Sequence, residues 1–408
     1  MNTNASRTAG LPQLILLLAA SSLPVLGAVL IAPVLPLIAA HFASVPGVGV
    51  LVPIVLTVPA LVIGLTAPFA GQIVDRLGRL RVLRAGMAGY AIAGTAPLWL
   101  DSIGSIIASR VFVGVFEAGI TTAATTLVGD YWKEKRDRYI GLQATTASLG
   151  GVVFIALGGA LGAGGWRTPF WVYAIALVLV VPMTWLLPSP ERSPEAADPR
   201  SVGVPWRAIA APCVVTLFGG VVFYILIVQL PTVLTSIGIT STATTGLLTG
   251  VLAVAIAVGA ALYGRFAKLG RRVLLPVEFA TSGLGLVIVF ASSSVTVVMV
   301  GAVVTGFASG LLFPTLISWV LDNVEFPQRG RGTGLWTGTA YVGQFLSPIV
   351  VAGLGVFTGG LQGGIGALGA LSVVLGAALF VAFRKQNPTA ASAVRPAPAG
   401  DGIRPEAP

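Results

Sequence analysis

Residues 71–83 read GQIVDRLGRLRVL, an acid and three arginines set into a chain whose flanking stretches are almost free of charge. About 20 mostly apolar residues are needed to cross the hydrocarbon core of a bilayer, and runs of that kind lie on both sides, at 49–71 and 82–100. A short charged segment between two such runs reads as a connection at a membrane surface. The alternation continues along the chain, with further runs at 12–40, 103–129, 140–163, 168–187, 208–236, 243–266, 273–291, 294–320, 333–357 and 363–383, twelve in all. With 55% hydrophobic residues, 9% charged and a mean hydropathy of +0.93, the chain has too little polar surface to cover a soluble globule. Its runs are continuous instead of alternating with period two, which calls for spanning helices and not a barrel. The first run exceeds a signal-peptide core and lacks an A-x-A-like end, so it is expected to remain as a helix.

Basic residues gather in cytoplasmic loops of membrane proteins. Placing the N-terminus inside makes 72–81, 130–139, 188–207, 265–272 and 321–332 inward connections. With the two termini and Arg84, these hold 22 of the 24 lysines and arginines, leaving Arg110 and Arg167. The expected topology is a multi-pass plasma (inner) membrane protein with both termini cytoplasmic. The net charge of +10 then follows from topology and from attraction to anionic lipid headgroups, without a nucleic-acid partner. Cys213 is the sole cysteine, so neither an internal disulfide nor a thiol metal cluster can form. His41, the sole histidine, falls at the outer end of the first span, where a solvated position is expected.

The chain also repeats itself. RLGRLRVL (76–83) aligns with KLGRRVLL (268–275) at an offset of 192, matching Gly78 to Gly270 and Arg79 to Arg271, and Asp130 corresponds to Asp322. At 193, RYIGLQATTASLGG (138–151) runs alongside RGTGLWTGTAYVGQ (331–344). Two six-helix halves, 1–187 and 207–384, are joined by a polar, proline-rich cytoplasmic segment at 188–206. A Pro/Ala-rich tail, 385–408, is expected to be disordered.

The opening segment resembles the signature loop of the major facilitator superfamily, G-x-x-x-D-R-x-G-R-[RKL]-x, with Gly71, Asp75, Arg76, Gly78, Arg79 and Arg81 on the pattern. Helix count, duplicated halves, a degenerate second copy and the central segment extend the resemblance to the whole chain. It implies an all-α integral membrane fold of twelve transmembrane helices in two pseudo-symmetric halves, with alternating access. It also implies that Asp75, Arg76 and Arg79 gate by contacts between the halves. Physically, Gly71 is expected to let the second helix approach a neighbour, Asp75 to favour a nearby helix N-terminus, and Gly78 to permit a tight turn. Ala267 replaces the acid in the second copy, which implies a weaker gate there.

Charges inside the spans point toward function. Glu117 alone among fourteen acids lies near the middle of a span, the fourth, and Arg110 precedes it by seven residues on the same face, with Gly114 between. Stranding either in lipid costs roughly 2.5–3.5 kcal/mol on insertion scales, so both are expected to face the bundle interior. The arginine with a glycine four residues on resembles the fourth-helix signature of proton-coupled facilitators, which implies a link to proton transfer; a static Arg110–Glu117 pair that fixes packing is the alternative. Glu278, near the cytoplasmic end of the ninth span, is expected to snorkel or to face a gate, and Asp101 to cap the fourth helix. GGVVFIALGGALGAGGWRTPF (150–170) resembles the glycine-rich fifth helix of efflux proteins, followed by Trp166, Arg167 and Phe170, but it lacks their proline; Pro348 stands opposite Ile155 in the other half. The glycines serve either close packing or antiport.

By analogy with that fold, helices 1, 4, 7 and 10, joined by faces of 5, 8 and 11, are expected to line a cavity carrying Gln143, Tyr224, Gln229, Thr305, Ser309, Trp336 and Tyr341. Such a cavity fits an amphiphilic or weakly polar small-molecule cargo better than a highly charged one. The expected function is secondary active transport in a monomer, as proton-coupled efflux (antiport) of small organic compounds. The alternative is proton-coupled uptake of a small organic acid, with Arg110 binding the anion; lipid flipping and membrane sensing are more remote. No phosphate-binding loop, zinc spacing or nucleophile elbow occurs, so neither an enzyme, a cofactor, a metal nor ATP is expected.

Overall fold

Each apolar run is helical in the computed structural model, which describes residues 9–188, 206–325 and 328–385. Most of the expected central connection, and the tail beyond 385, lie outside the described residues. The first span, α1 (Leu11–His41), breaks around a 3₁₀ turn at Ala32–Val34, where Pro33 and Pro36 supply no N–H to the helical ladder. The other spans are α2 (Val48–Leu77), α3 (Arg79–Thr95), α4 (Ile103–Tyr131), α5 (Arg136–Gly162), α6 (Ile175–Leu186), α7 (Trp206–Ser236), α8 (Thr242–Phe266), α9 (Arg271–Phe290), α10 (Val295–Asp322), α11 (Arg329–Thr358) and α12 (Leu361–Lys385). Eleven are long and apolar enough to cross a bilayer, counting α6 with the 3₁₀ turn before it; α3, 17 residues long, is extended by a 3₁₀ turn at Ala96–Leu98.

Packing within the first half recurs in the second. The contacts α1–α5, α2–α4, α3–α4 and α3–α6 correspond to α7–α11, α8–α10, α9–α10 and α9–α12. Two seams, α2–α11 and α5–α8, join the halves. Glycines let these backbones touch, as small residues do where lipid supplies no hydrophobic drive between helices. Gly159 meets the backbone of Gly246 across α5–α8, and Gly64 meets the Gly338 carbonyl across α2–α11. Nearer the end that carries most of the basic residues, Gly141 of α5 and Gly264 of α8 have no atom within 4 Å of where a Cβ would lie. The α5–α8 backbones are therefore in contact toward the opposite end. Exposed tryptophans mark both ends of the apolar belt, Trp99 and Trp171 at one and Trp185 and Trp206 at the other.

The charged segment that opened the sequence is less of a loop than its composition suggests. Helix α2 runs on to Leu77, which puts Asp75 and Arg76 on its last turns, and the whole connection to α3 is Gly78. Its φ of +92° and ψ of 126° lie where a side chain would cost about 1–3 kcal/mol, so the expected tight turn is present. Gly71 differs from expectation: no atom lies within 4 Å of its would-be Cβ, and Gly64, two turns earlier, makes the close approach instead.

Candidate transport site

Arg79, at the α2–α3 turn, pairs within its own half. Arg79 pairs with Asp130 at the end of α4 and lies 3.4 Å from Asp75. The second half repeats the device, Arg271 of α9 lying 2.6 Å from Asp322 of α10. Sequence alignment matched these residues, and the structure brings each arginine to its acid. Asp75 and Asp130, the two acids that Arg79 meets, both belong to the first half. Asp101 does not cap α4: Ser102 accepts from the Ser105 N–H, while Asp101 pairs at 2.6 Å with Arg167, whose guanidinium also stacks on Trp166. That accounts for one of the two basic residues outside the basic end.

The other, Arg110, is 1% exposed, as is Glu117. Both point inward, as the cost of stranded charge requires, yet they do not pair. The Arg110 guanidinium donates to the carbonyls of Ala93 and Gly94, each at 2.9 Å, and its centre lies 4.9 Å from the Tyr173 ring and 5.3 Å from that of Phe170. Tyr173 continues from Arg110 toward Glu117, donating its hydroxyl to the Gly27 carbonyl at 3.3 Å. Gly27 of α1 is the socket for the acid. A Cβ there would collide with Glu117 Oε1 and stand 3.3 Å from the Tyr90 hydroxyl, which itself donates to the Leu23 carbonyl at 2.7 Å. Glu117 Oε1 is buried without a hydrogen-bond partner. Gly114, one turn earlier, lets α4 press on the backbone of Pro59 in α2 and so fixes the depth of both charges.

Glu117 opens into a cavity of about 340 Å³ between the halves, walled by α1, α2, α4, α5, α7, α8, α10 and α11. Its contribution from α2, through Leu56, Pro59 and Ile63, goes beyond the helices expected. Tyr224, Tyr341, Phe223 and Phe313 supply aromatic surface, and Ser148 and Gln344 polar groups. Glu117 is the one charged residue among the lining residues; Arg110 is not among them. Tyr224 donates to the Ala28 carbonyl at 2.9 Å, tying α7 to α1 beside the cavity.

Of the seven cavity residues expected, Tyr224 and Tyr341 line it. Gln143 is occupied with Ser21 and Thr125. Gln229 lies in a separate vestibule of about 460 Å³ near the end opposite the basic residues. Thr305 donates at 3.3 Å to the Ser282 carbonyl in the α9–α10 interface, Ser309 is buried away from the cavity, and Trp336 packs behind Phe313. Helix α10 is apolar around its whole circumference, so nothing in its sequence sets which way its hydroxyls face. Glu278 does not snorkel: it is 1% exposed and hydrogen-bonded to Thr315. The α5 glycines serve close packing, with Gly158 against the Leu30 backbone and Gly162 against Val34 and Thr242. Gly27, Tyr90 and Tyr173 escape sequence reasoning, because their roles depend on how α1, α3 and α6 are rotated against α4.

The family model of the Major Facilitator Superfamily matches residues 17–242 and 212–406. The tetracycline resistance protein of class C from Escherichia coli is 33% identical over 172 residues, 40% of this chain and 41% of that protein. The 3-(3-hydroxy-phenyl)propionate transporter of Escherichia coli strain K12 is 25% identical over 337 residues, 78% of this chain and 81% of that one. A bacterial homologue of the human lysosomal transporter Spinster superposes with a TM-score of 0.75 at 17% identity, over 95% of this chain and 98% of that one. The D-xylose–proton symporter does so with 0.75 at 13%, over 90% and 97%. Fold, central cavity and relatives together define a membrane transporter and not an enzyme. The chain belongs to the Major Facilitator Superfamily.

Proposed function

We propose that the protein exports small organic compounds of amphiphilic character in exchange for protons, by alternating access, with Glu117 as the coupling acid. The observation that carries this is that Glu117 is, among the described residues, the one charged residue lining the cavity and that its Oε1 has no hydrogen-bond partner. A carboxylate removed from water is costly unless it gains a counter-charge or donors. Cargo entering the cavity supplies either, so cargo and proton compete for the same oxygen atoms. With the basic end cytoplasmic and the α5–α8 backbones in contact at the other end, cargo enters from inside. Cargo settles against Tyr224, Tyr341 and Phe223, and the proton leaves Glu117. Rocking of the halves then opens the Gly159–Gly246 contact, and a proton returning from outside displaces the cargo. Asp75, Arg76 and Arg79 would act in that rocking as gate residues, a role that needs partners across the halves. One chain holds every part of this cycle, consistent with a monomer.

Uptake of an organic acid is the second possibility, because a relative matched over 78% of the chain bears the name 3-(3-hydroxy-phenyl)propionate transporter. The site chemistry favours export: no cationic side chain among the described residues lines the cavity, and Arg110 lies outside it, with Nη2 bound to two carbonyls. A panel of aromatic compounds matched in size and differing in charge separates the two in proteoliposomes under an imposed pH gradient. Neutral and cationic members are expected to be exchanged for protons, with the matched carboxylates at least tenfold slower. Carboxylates moving in the same direction as protons would instead establish uptake.

A further inference from the structure

Glu278 lies outside the cavity, in the seam between α9 and α10, a buried acid with a single hydrogen-bond partner. Thr315 Oγ1 lies 2.7 Å from Glu278 Oε1 and 3.0 Å from the Leu311 carbonyl. A hydroxyl has one proton to donate. Against an ionised Glu278, even a Thr315 that gives its proton to the acid and leaves the Leu311 carbonyl to the helical N–H supplies the buried carboxylate with a single donor and leaves Oε2 bare. With a neutral carboxyl both contacts are satisfied in series: the Glu278 O–H donates to Thr315 Oγ1, and Thr315 donates to the Leu311 carbonyl. Glu278 Oε2 then remains as a carbonyl-type oxygen without a partner, which costs far less than an uncompensated buried carboxylate.

No ion pair among the described residues involves Glu278. Facing elements bring no charge to it: α10 carries only Asp322, α12 only Arg384 and Lys385, and α7 only Arg207, all in terminal turns, while Cys213 and Tyr224 are the remaining titratable groups on α7. On α9 itself the charges are Arg271 and Arg272. Arg271 precedes Glu278 by seven residues and Asp322 follows Thr315 by seven, two turns in each case. The Arg271–Asp322 pair therefore stands over the Glu278–Thr315 pair, at the mouth of the same seam. Ser282, one turn further in on the same face, holds a buried hydroxyl without a partner, a donor that an ionised Glu278 would need. The equivalent positions of the first half, Gly86 and Ala123, carry no polar side chain.

We propose that Glu278, Thr315 and Ser282 form a second proton-binding site, in the second half and remote from the cargo cavity, reached from the basic end beneath the Arg271–Asp322 pair. The test is infrared spectroscopy of the carboxylic-acid C=O stretch at neutral pH, on full-length purified protein in lipid. Glu278→Gln preserves size and a donor for Thr315, and is expected to remove one protonated-carboxyl band that Glu117→Gln leaves in place. Thr315→Val, which deletes the partner and keeps the acid, is expected to shift that band without abolishing it. A Glu278→Gln spectrum identical to the native one would overturn the proposal, as would a Thr315→Val spectrum with the band unmoved. Because the band is read without cargo, the outcome is independent of whether Glu117 couples transport.

Discussion

Gly27→Val is expected to cut proton-driven transport severely while leaving a folded, membrane-inserted protein. Even the Cβ of such a side chain would overlap Glu117 Oε1 and press on the Tyr90 hydroxyl, and two γ-methyl groups extend the conflict toward the Tyr173 hydroxyl bonded at the Gly27 carbonyl. The backbone at Gly27 is an ordinary α1 helix without a positive φ, so the damage is confined to the socket. Overpacking of about 1–3 kcal/mol falls on the carboxyl that must change protonation state, and transport is expected to drop by roughly tenfold or more. Flux in proteoliposomes, set beside the thermal unfolding midpoint, checks this. Native flux from Gly27→Val would show that the position of Glu117 is irrelevant to turnover.

The second large effect is structural. Arg110→Leu removes a cation enclosed by the carbonyls of Ala93 and Gly94 and the rings of Phe170 and Tyr173, leaving both carbonyls without this donor. Hydrogen bonds to a charged group contribute about 1.5–3 kcal/mol each, so the variant is expected to lose roughly 3 kcal/mol or more and to fail to accumulate as folded protein. Arg110→Lys keeps the charge but not the planar fork or the stacking, and is expected to fold with a lowered midpoint. Cys213, the sole cysteine and only partly buried, serves as a native reporter for a thiol-reactive dye in such melts. An Arg110→Leu protein as stable as the native one would show that the guanidinium does not hold α4 to α3 and α6.

What the sequence disclosed follows from what a bilayer forbids. Apolar runs could not be anything but spans, so the twelve helices and the duplication were legible, as was the inward orientation of Arg110 and Glu117. The turn at Gly78 was also legible, because glycine is followed there by a helix-forming run. Rotation was not. Thr305, Ser309 and Trp336 were expected in the cavity, yet α10 presents its hydroxyls to neighbouring helices, and only the close packing of Gly285 against Gly301 and Thr305 decides that. Gln143 was lost to Ser21 and Thr125, partners on other helices. Gly27 illustrates the same limit from the other side: one glycine among many in the sequence, it becomes the floor of the acid's socket only when α1 is laid against α4.

The central claim is that Glu117 exchanges its proton for cargo. Internal pH of oriented proteoliposomes, recorded as the charge-matched panel is added to native protein and to Glu117→Gln, tests it most directly. Cargo-dependent proton movement opposite to cargo flux, abolished in Glu117→Gln, is the predicted result. Proton movement of native size in Glu117→Gln, or cargo crossing without any proton movement in the native protein, would contradict it.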